Sequence, residues 1–68
     1  MNTLSIFKSG KVIATINVEE IYISEPVLVM ANVVINQKIA QNETKPGYYS
    51  IVLSDENDNR LQSKRIRV

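Results

Sequence analysis

Residues 27–35 read VLVMANVVI, and Asn32 is the single polar side chain among them. A strand with one solvated face alternates apolar and polar residues, whereas this run is apolar on both alternating faces. The pattern therefore predicts a strand that is covered on both sides. One possible cover is the chain itself, with the run as the central strand of a small barrel and Asn32 at a bulge. The other possible cover is a partner chain.

A chain of 68 residues has little material with which to cover both faces of such a strand. We therefore expect part of the run to lie at an interface between proteins. The predicted interface residues are Tyr22, Val27, Val29, Val33 and Ile35.

A predicted hairpin lies upstream of this run. We expect a three-residue loop with Gly10 in the left-handed conformation, because that register pairs Ile6 with Val12 and keeps one face apolar. A two-residue loop would place Phe7 opposite Val12 and mix polar and apolar side chains on both faces. The strands of this hairpin are the alternating segments 3–8 and 11–18.

The segments on either side of the run are less regular. Residues 21–23 are a candidate for a short strand, and Pro26 indicates a strand start or an edge because it has no amide donor. After the run, the four-residue spacing of Ile35 and Ile39 is compatible with one or two helical turns near residues 37–41.

A second predicted hairpin occupies the end of the chain. Residues 48–54 read YYSIVLS, and residues 60–68 return as the last strand. In a regular strand, Leu61 would lie on the opposite face from Ile66 and Val68. A bulge near Gln62 would bring it to their face. The fold expected from the whole sequence is all-β: a small antiparallel sandwich or partly open barrel of about five to six short strands, forming a single domain over residues 1–68.

Composition excludes several classes of function. Seventeen residues are Ile or Val and three are Ala, which is typical of pleated sheet. The chain has no Cys, His or Trp, so disulfides, Cys/His zinc sites and catalysis by His or Cys are excluded. A net charge of +1 gives no strong attraction to nucleic acid or membrane. We expect no enzymatic activity, no cofactor and no metal site.

No segment resembles a secretory signal, and the longest apolar run is far shorter than the roughly 20 residues that span a bilayer. These features predict a cytoplasmic protein or a component of a virion.

The final strand carries half of the cations of the chain. Two tyrosines lie across the predicted hairpin, so rings and cations together would form a surface on which single-stranded nucleic acid stacks. Cations on an edge strand also serve to prevent edge-to-edge pairing, which is the simpler explanation. The residues of this alternative site are Tyr48, Tyr49, Lys64, Arg65 and Arg67.

The loop DENDN at residues 55–59 has the D-x-N-x-N spacing that opens a calcium loop. The glycine expected next is Arg60, and the bidentate glutamate expected at the twelfth position is Ile66. Asp and Asn are also favoured in hairpin loops, so a loop without a cation is the preferred interpretation.

Elimination leaves a non-enzymatic structural or assembly module as the predicted function. The chain is expected to form homo-oligomers or to join a larger assembly, for example as a minor or decoration protein of a bacteriophage particle. The first alternative is a small β-barrel that binds single-stranded nucleic acid. The second is an adaptor or inhibitor that pairs with a host protein through an edge strand.

Overall fold

The structure is a computed structural model that describes all residues from 1 to 68. A mostly antiparallel β domain is confirmed, with four strands in one open sheet and one helix. The helix lacks the length and apolar character that crossing a membrane requires. In chain order the elements are β1 (Asn2–Lys8), β2 (Lys11–Val18), α1 (Glu25–Ala40), β3 (Tyr48–Ser54) and β4 (Arg60–Arg67).

The strands are ordered β2-β1-β3-β4 across the sheet, and each neighbouring pair is antiparallel. Strands β2 and β3 therefore run in the same direction on either side of β1. A connection between two such strands needs a crossover, and α1 provides it. As a result, the helix covers one face of the sheet and leaves the other face open.

The hydrophobic core lies between α1 and the covered face of the sheet. Strand alternation directs every second side chain of β1 and β3 toward the helix, and the apolar ones among them are buried. The helix contributes Val27, Ala31 and Ile35, which recur every four residues along one stripe. The buried residues are Leu4, Ile6, Val18, Ile23, Val27, Ala31, Ile35, Tyr49, Ile51 and Leu53.

The predicted strand over residues 27–35 is wrong, because this segment is the central part of helix α1. A continuous apolar run fits a helical period as well as a strand period, and here the helix continues through residues 36–40. The predicted helical turns near residues 37–41 are its last turns. The strand predicted at residues 21–23 is also absent, and the total is four strands instead of five to six.

Local sequence at the start of α1 explains the helix. Ser24 is the N-cap residue and its carbonyl accepts the amide of Leu28 at 3.0 Å. Glu25 lies in the first turn, where a negative charge is favourable, and Pro26 follows at a position that needs no amide donor. Pro26 therefore begins a helix here, and the low helix propensity of the many Val residues is overcome by packing on the sheet.

The first hairpin has a two-residue loop instead of the predicted three-residue loop. Both loop residues have positive φ, 51° at Ser9 and 79° at Gly10, as a type I′ turn requires. Phe7 lies opposite Val12, and Ile6 lies opposite Ala14, so Ile13 is the extra residue of a bulge. The predicted Ile6–Val12 pair is thus wrong, while the left-handed conformation of Gly10 is confirmed.

The second hairpin also contains a bulge. Leu53 pairs with Gln62 and Ser54 pairs with Arg60, which leaves Leu61 as the extra residue. The bulge predicted near Gln62 is therefore confirmed to within one residue. Since β2 and β4 are the two edge strands, each edge of the sheet carries a bulge, a feature that hinders pairing with another strand.

Candidate functional site

The structure divides the predicted interface residues into two groups. Val27 and Ile35 are fully buried and belong to the core of the chain itself. Tyr22, Val29 and Val33 lie on the surface with 60%, 55% and 50% of their area exposed. Only the last three are therefore accessible to a partner.

The exposed apolar residues of α1 lie on the helix face that points away from the sheet. Val29 and Val33 are one turn apart and stand about 200° around the helix from Val27 and Ala31, respectively. Met30 borders them, and Ile21 and Tyr22 lie in the segment that leads into the helix. We call this set the outer apolar patch: Ile21, Tyr22, Val29, Met30 and Val33.

The outer apolar patch contains no charged residue, and its members are the larger apolar side chains that α1 and its leading segment expose. Ile21 and Met30 were not predicted. Ile21 has no periodic signal, whereas Met30 is evident once residues 25–40 are given a helical period.

The open face of the sheet carries the side chains that alternate with the core residues. Ser50 of β3 lies between Phe7 of β1 and Arg65 of β4 in the sheet register. Tyr48 pairs with Arg67 at the same end of the sheet. These residues therefore project to one side, opposite the helix.

Two arginines of β4 gather over one aromatic ring on this face. The guanidinium carbon of Arg65 is 4.7 Å from the centre of the Tyr48 ring, and that of Arg67 is 5.6 Å away. Both distances are within the range of cation–π attraction. Tyr48 nevertheless keeps 54% of its area exposed.

A cleft of about 690 Å³ lies beside these side chains at the end of the sheet. Its lining includes three cations and no acidic residue, together with two aromatic rings. We call it the basic cleft, and its lining residues are Phe7, Lys8, Ser9, Gly10, Gly47, Tyr48, Ser50, Val52, Arg60 and Arg65.

A glycine and a lysine shape one end of the basic cleft. Gly47 has φ of 149°, and a Cβ placed on it would lie 2.5 Å from Nζ of Lys8. That ammonium group donates to the carbonyl of Tyr48 at 3.4 Å and lies 4.6 Å from the centre of the Tyr49 ring. Gly47 thus leaves the space in which Lys8 is held.

The five predicted nucleic-acid residues are not all on one surface. Tyr48, Arg65 and Arg67 come together on the open face. Tyr49 lies on the opposite face of the sheet, toward the helix, and is 1% exposed. Its hydroxyl forms a 2.9 Å hydrogen bond with the hydroxyl of Thr44. Lys64 lies opposite the core residue Ile51, so it is also on the helix side of the sheet. It lines a smaller depression along the edge strand.

Of the ten residues that line the basic cleft, only Tyr48 and Arg65 were predicted as site residues. Among the other charged and aromatic lining residues, Arg60 was counted only with the cations of the final strand, and Phe7 and Lys8 were not predicted. The cleft depends on β1 lying beside β3, so residues 7–10 meet lining residues that are 37 or more positions away in the chain. Only Phe7 gave a signal, as an apolar exception on an otherwise polar strand face.

The acidic loop at residues 55–59 uses its first carboxylate internally. Oδ1 of Asp55 accepts the amides of Asn57 and Asn59, each at 2.9 Å, and Oδ2 accepts from the Asn59 side chain at 3.2 Å. These hydrogen bonds, chiefly the one from the Asn59 amide, lower the pKa of Asp55 from its ordinary value. No group of three or more acidic side chains is placed to hold a metal ion.

Comparisons with protein-family models, with curated proteins and with solved structures found no match.

Proposed function

We propose that this protein is a non-enzymatic assembly module that associates with a second copy of itself through the outer apolar patch. The observation that carries the proposal is the half exposure of Val29 and Val33 on a helix whose inner face is already covered. A helix that packs on a single sheet and meets only solvent on its other side normally carries polar residues there.

The size of the outer apolar patch supports weak, reversible association. Complete burial of a Val, Ile or Met side chain contributes about 1.5–3 kcal/mol, so covering a half-exposed one contributes about 1 kcal/mol. Five side chains from each copy then contribute about 10 kcal/mol in total. Association itself costs about 4–15 kcal/mol. With a cost at the low end of that range, the net gain is about 4–6 kcal/mol, so we expect a dimer with a dissociation constant between tens of micromolar and about 1 mM.

The dipole of α1 favours antiparallel pairing with a second copy. Val29 and Val33 are centred on the level of residue 31 along the helix, and a two-fold axis at that level would place the outer faces of two helices against each other. The two helices would then be antiparallel, which is the favourable arrangement of their dipoles.

Native mass measured over a range of protein concentrations tests this proposal. The variant Val29→Lys with Val33→Lys places two charges in the outer apolar patch, and we expect it to stay monomeric while the parent dimerises. The matched control is Thr15→Lys with Asn17→Lys, which adds the same charge to exposed positions of β2. This control should dimerise like the parent.

Circular dichroism of all three proteins checks that each is folded. A parent chain that remains monomeric up to millimolar concentration would refute self-association. Equal loss of the dimer in the control would show that net charge, and not the outer apolar patch, governs the mass.

A further inference from the structure

We propose that the basic cleft and the adjoining open face of the sheet bind a short single-stranded nucleic acid. This activity goes beyond the self-association proposed above, and it uses the surface on the other side of the molecule from the outer apolar patch. The inference rests on charge, on accessible rings and on the shape of the cleft.

The charge of the molecule is distributed unevenly in spite of the net value of +1. Lys8, Arg60 and Arg65 line the basic cleft, Lys64 lines the depression beside it, and Arg67 lies over Tyr48. These are five of the eight cations of the chain, whereas none of the seven acidic residues lines either depression.

These five cations also lack acidic partners. The two ion pairs of the structure join the N-terminal amino group to Glu56 and Lys38 to Glu43. These cations are therefore available to a polyanion, and the repulsion between them is unfavourable until an anion neutralises it.

Aromatic rings distinguish this surface from a simple anion site. Phe7 lies opposite Ser50, and Tyr48 is two residues before Ser50 in β3. The two rings are therefore diagonal neighbours on the sheet. Such neighbours are separated by about 7–8 Å, which leaves each ring able to receive its own base. An acidic peptide would use the cations and leave these rings unused.

The small residues of the basic cleft allow a nucleic-acid backbone to approach. No atom lies within 4 Å of the position that a Cβ on Gly10 would occupy. Ser9 and Ser50 add hydroxyl groups to the lining. The longest dimension of the Cα framework is 32 Å, so we expect a site at the short end of the usual range, about four to six nucleotides.

Fluorescence anisotropy with labelled oligothymidylate and oligouridylate of about 12 nucleotides tests the proposal. We expect binding in the micromolar range at low salt, with the logarithm of the affinity falling about 2–3 units per tenfold rise in salt, as three to four phosphate contacts predict. The DNA and RNA probes determine which of the two the site prefers.

Charge-matched variants locate the site. Arg65→Gln with Arg67→Gln should weaken binding about tenfold or more and reduce the salt dependence. Lys38→Gln with Lys45→Gln removes the same charge outside the basic cleft and should change affinity by about twofold at most. Both variants should keep the native mass behaviour of the parent, which separates this site from the outer apolar patch.

Ring variants test base stacking. Tyr48→Ala should weaken binding about fivefold or more, whereas Tyr48→Phe, which keeps the ring, should bind like the parent. Inorganic polyphosphate carries phosphates without bases and should compete poorly at equal charge.

Several results would overturn the proposal. One is failure of both oligonucleotides to bind at low salt, and another is equal weakening by the two charge-matched variants. Unchanged affinity of Tyr48→Ala, or effective competition by polyphosphate, would show a general polyanion surface instead of a nucleic-acid site.

Discussion

Arg65 lies over the exposed ring of Tyr48, with 4.7 Å between the guanidinium carbon and the ring centre. The two residues are on neighbouring strands, and Ser50 is the partner that faces Arg65 directly. The contact is therefore diagonal across the open face. It keeps a long, flexible cation at a fixed place on the sheet.

We expect this contact to stabilise the folded protein by about 0.5–1 kcal/mol, the value for exposed cation–π pairs. A double-mutant cycle with Arg65→Gln and Tyr48→Ala, followed by urea unfolding, measures the coupling. The same cycle with Arg67→Gln is the control. At 5.6 Å, Arg67 should couple more weakly. A coupling larger for Arg67 than for Arg65 would contradict the arrangement.

The orientation of α1 predicts a large difference between two nearby residues. Ile35 is fully buried and Val33 is half exposed. Ile35→Ala should therefore lower the free energy of unfolding by about 2–5 kcal/mol, and Val33→Ala by about 0.5 kcal/mol or less. Unfolding should be followed at a protein concentration where the chain is monomeric.

The same comparison distinguishes a helix from a strand at residues 27–35. In a strand, Val33 and Ile35 would share a face and their replacement would have similar costs. In the helix they are about 200° apart. Equal losses of stability in the two variants would argue against α1.

The four strands could be predicted from the sequence because each has a local alternation with turn residues beside it. Helix α1 could not be predicted from periodicity alone. Its outer face carries Val29, Met30 and Val33, so the apolar stripe toward the sheet does not stand out. The useful signals were at its start, where Ser24, Glu25 and Pro26 form a typical helix N-terminus.

Part of the basic cleft could also be predicted from the sequence. Alternation separates Tyr48, Arg65 and Arg67 from Tyr49 and Lys64, so strict use of parity would have removed the last two from the predicted site. The contribution of β1 could not be inferred. Adjacency of β1 and β3 is a long-range property of the topology, and no local pattern contains it.

Gly47 and Gly10 should differ in their tolerance of alanine. Both have positive φ, so Ala is strained at each position, by about 1–2 kcal/mol in the left-handed region. A Cβ on Gly10 meets no atom within 4 Å, whereas one on Gly47 would collide with Nζ of Lys8. Nζ is the far end of a flexible side chain, so it can move away at a small cost. Gly47→Ala should therefore be the more destabilising replacement in thermal or urea unfolding, by the modest amount needed to displace Lys8 from Tyr49.

Removal of the Lys8 side chain separates the backbone strain at Gly47 from the contact with Nζ. In a Lys8→Ala background, the cost of Gly47→Ala should fall to the strain term alone, and the cost of Gly10→Ala should be unchanged. If Lys8→Ala gives no relief to Gly47→Ala, then the contact with Nζ is not what makes glycine necessary there.

Asp55 should make the stability of the protein depend on pH in the acid range. Its pKa in the folded protein is below the ordinary value of 3.8, mainly because the amide of Asn59 donates to the carboxylate. The unfolded chain therefore takes up a proton at a higher pH than the folded chain does. The stabilising contribution is fully present above the ordinary pKa, and it is lost as pH falls from 3.8 through the lower pKa of the folded state.

The variant Asp55→Asn isolates this contribution when its urea midpoint is compared with that of the parent at each pH. We expect the variant to be less stable at neutral pH and the difference to shrink below pH 3.8. Glu56, whose pKa is lowered mainly by the N-terminal amino group, titrates in both proteins, and loss of the Asp55 charge removes an influence that raises the pKa of Glu56. Asp58→Asn is the control, because it removes the same charge from the same loop and Asp58 makes no side-chain hydrogen bond. A gap between parent and Asp55→Asn that is the same at pH 7 and pH 2, or that Asp58→Asn reproduces, would show that the hydrogen bonds of Asp55 do not stabilise the loop.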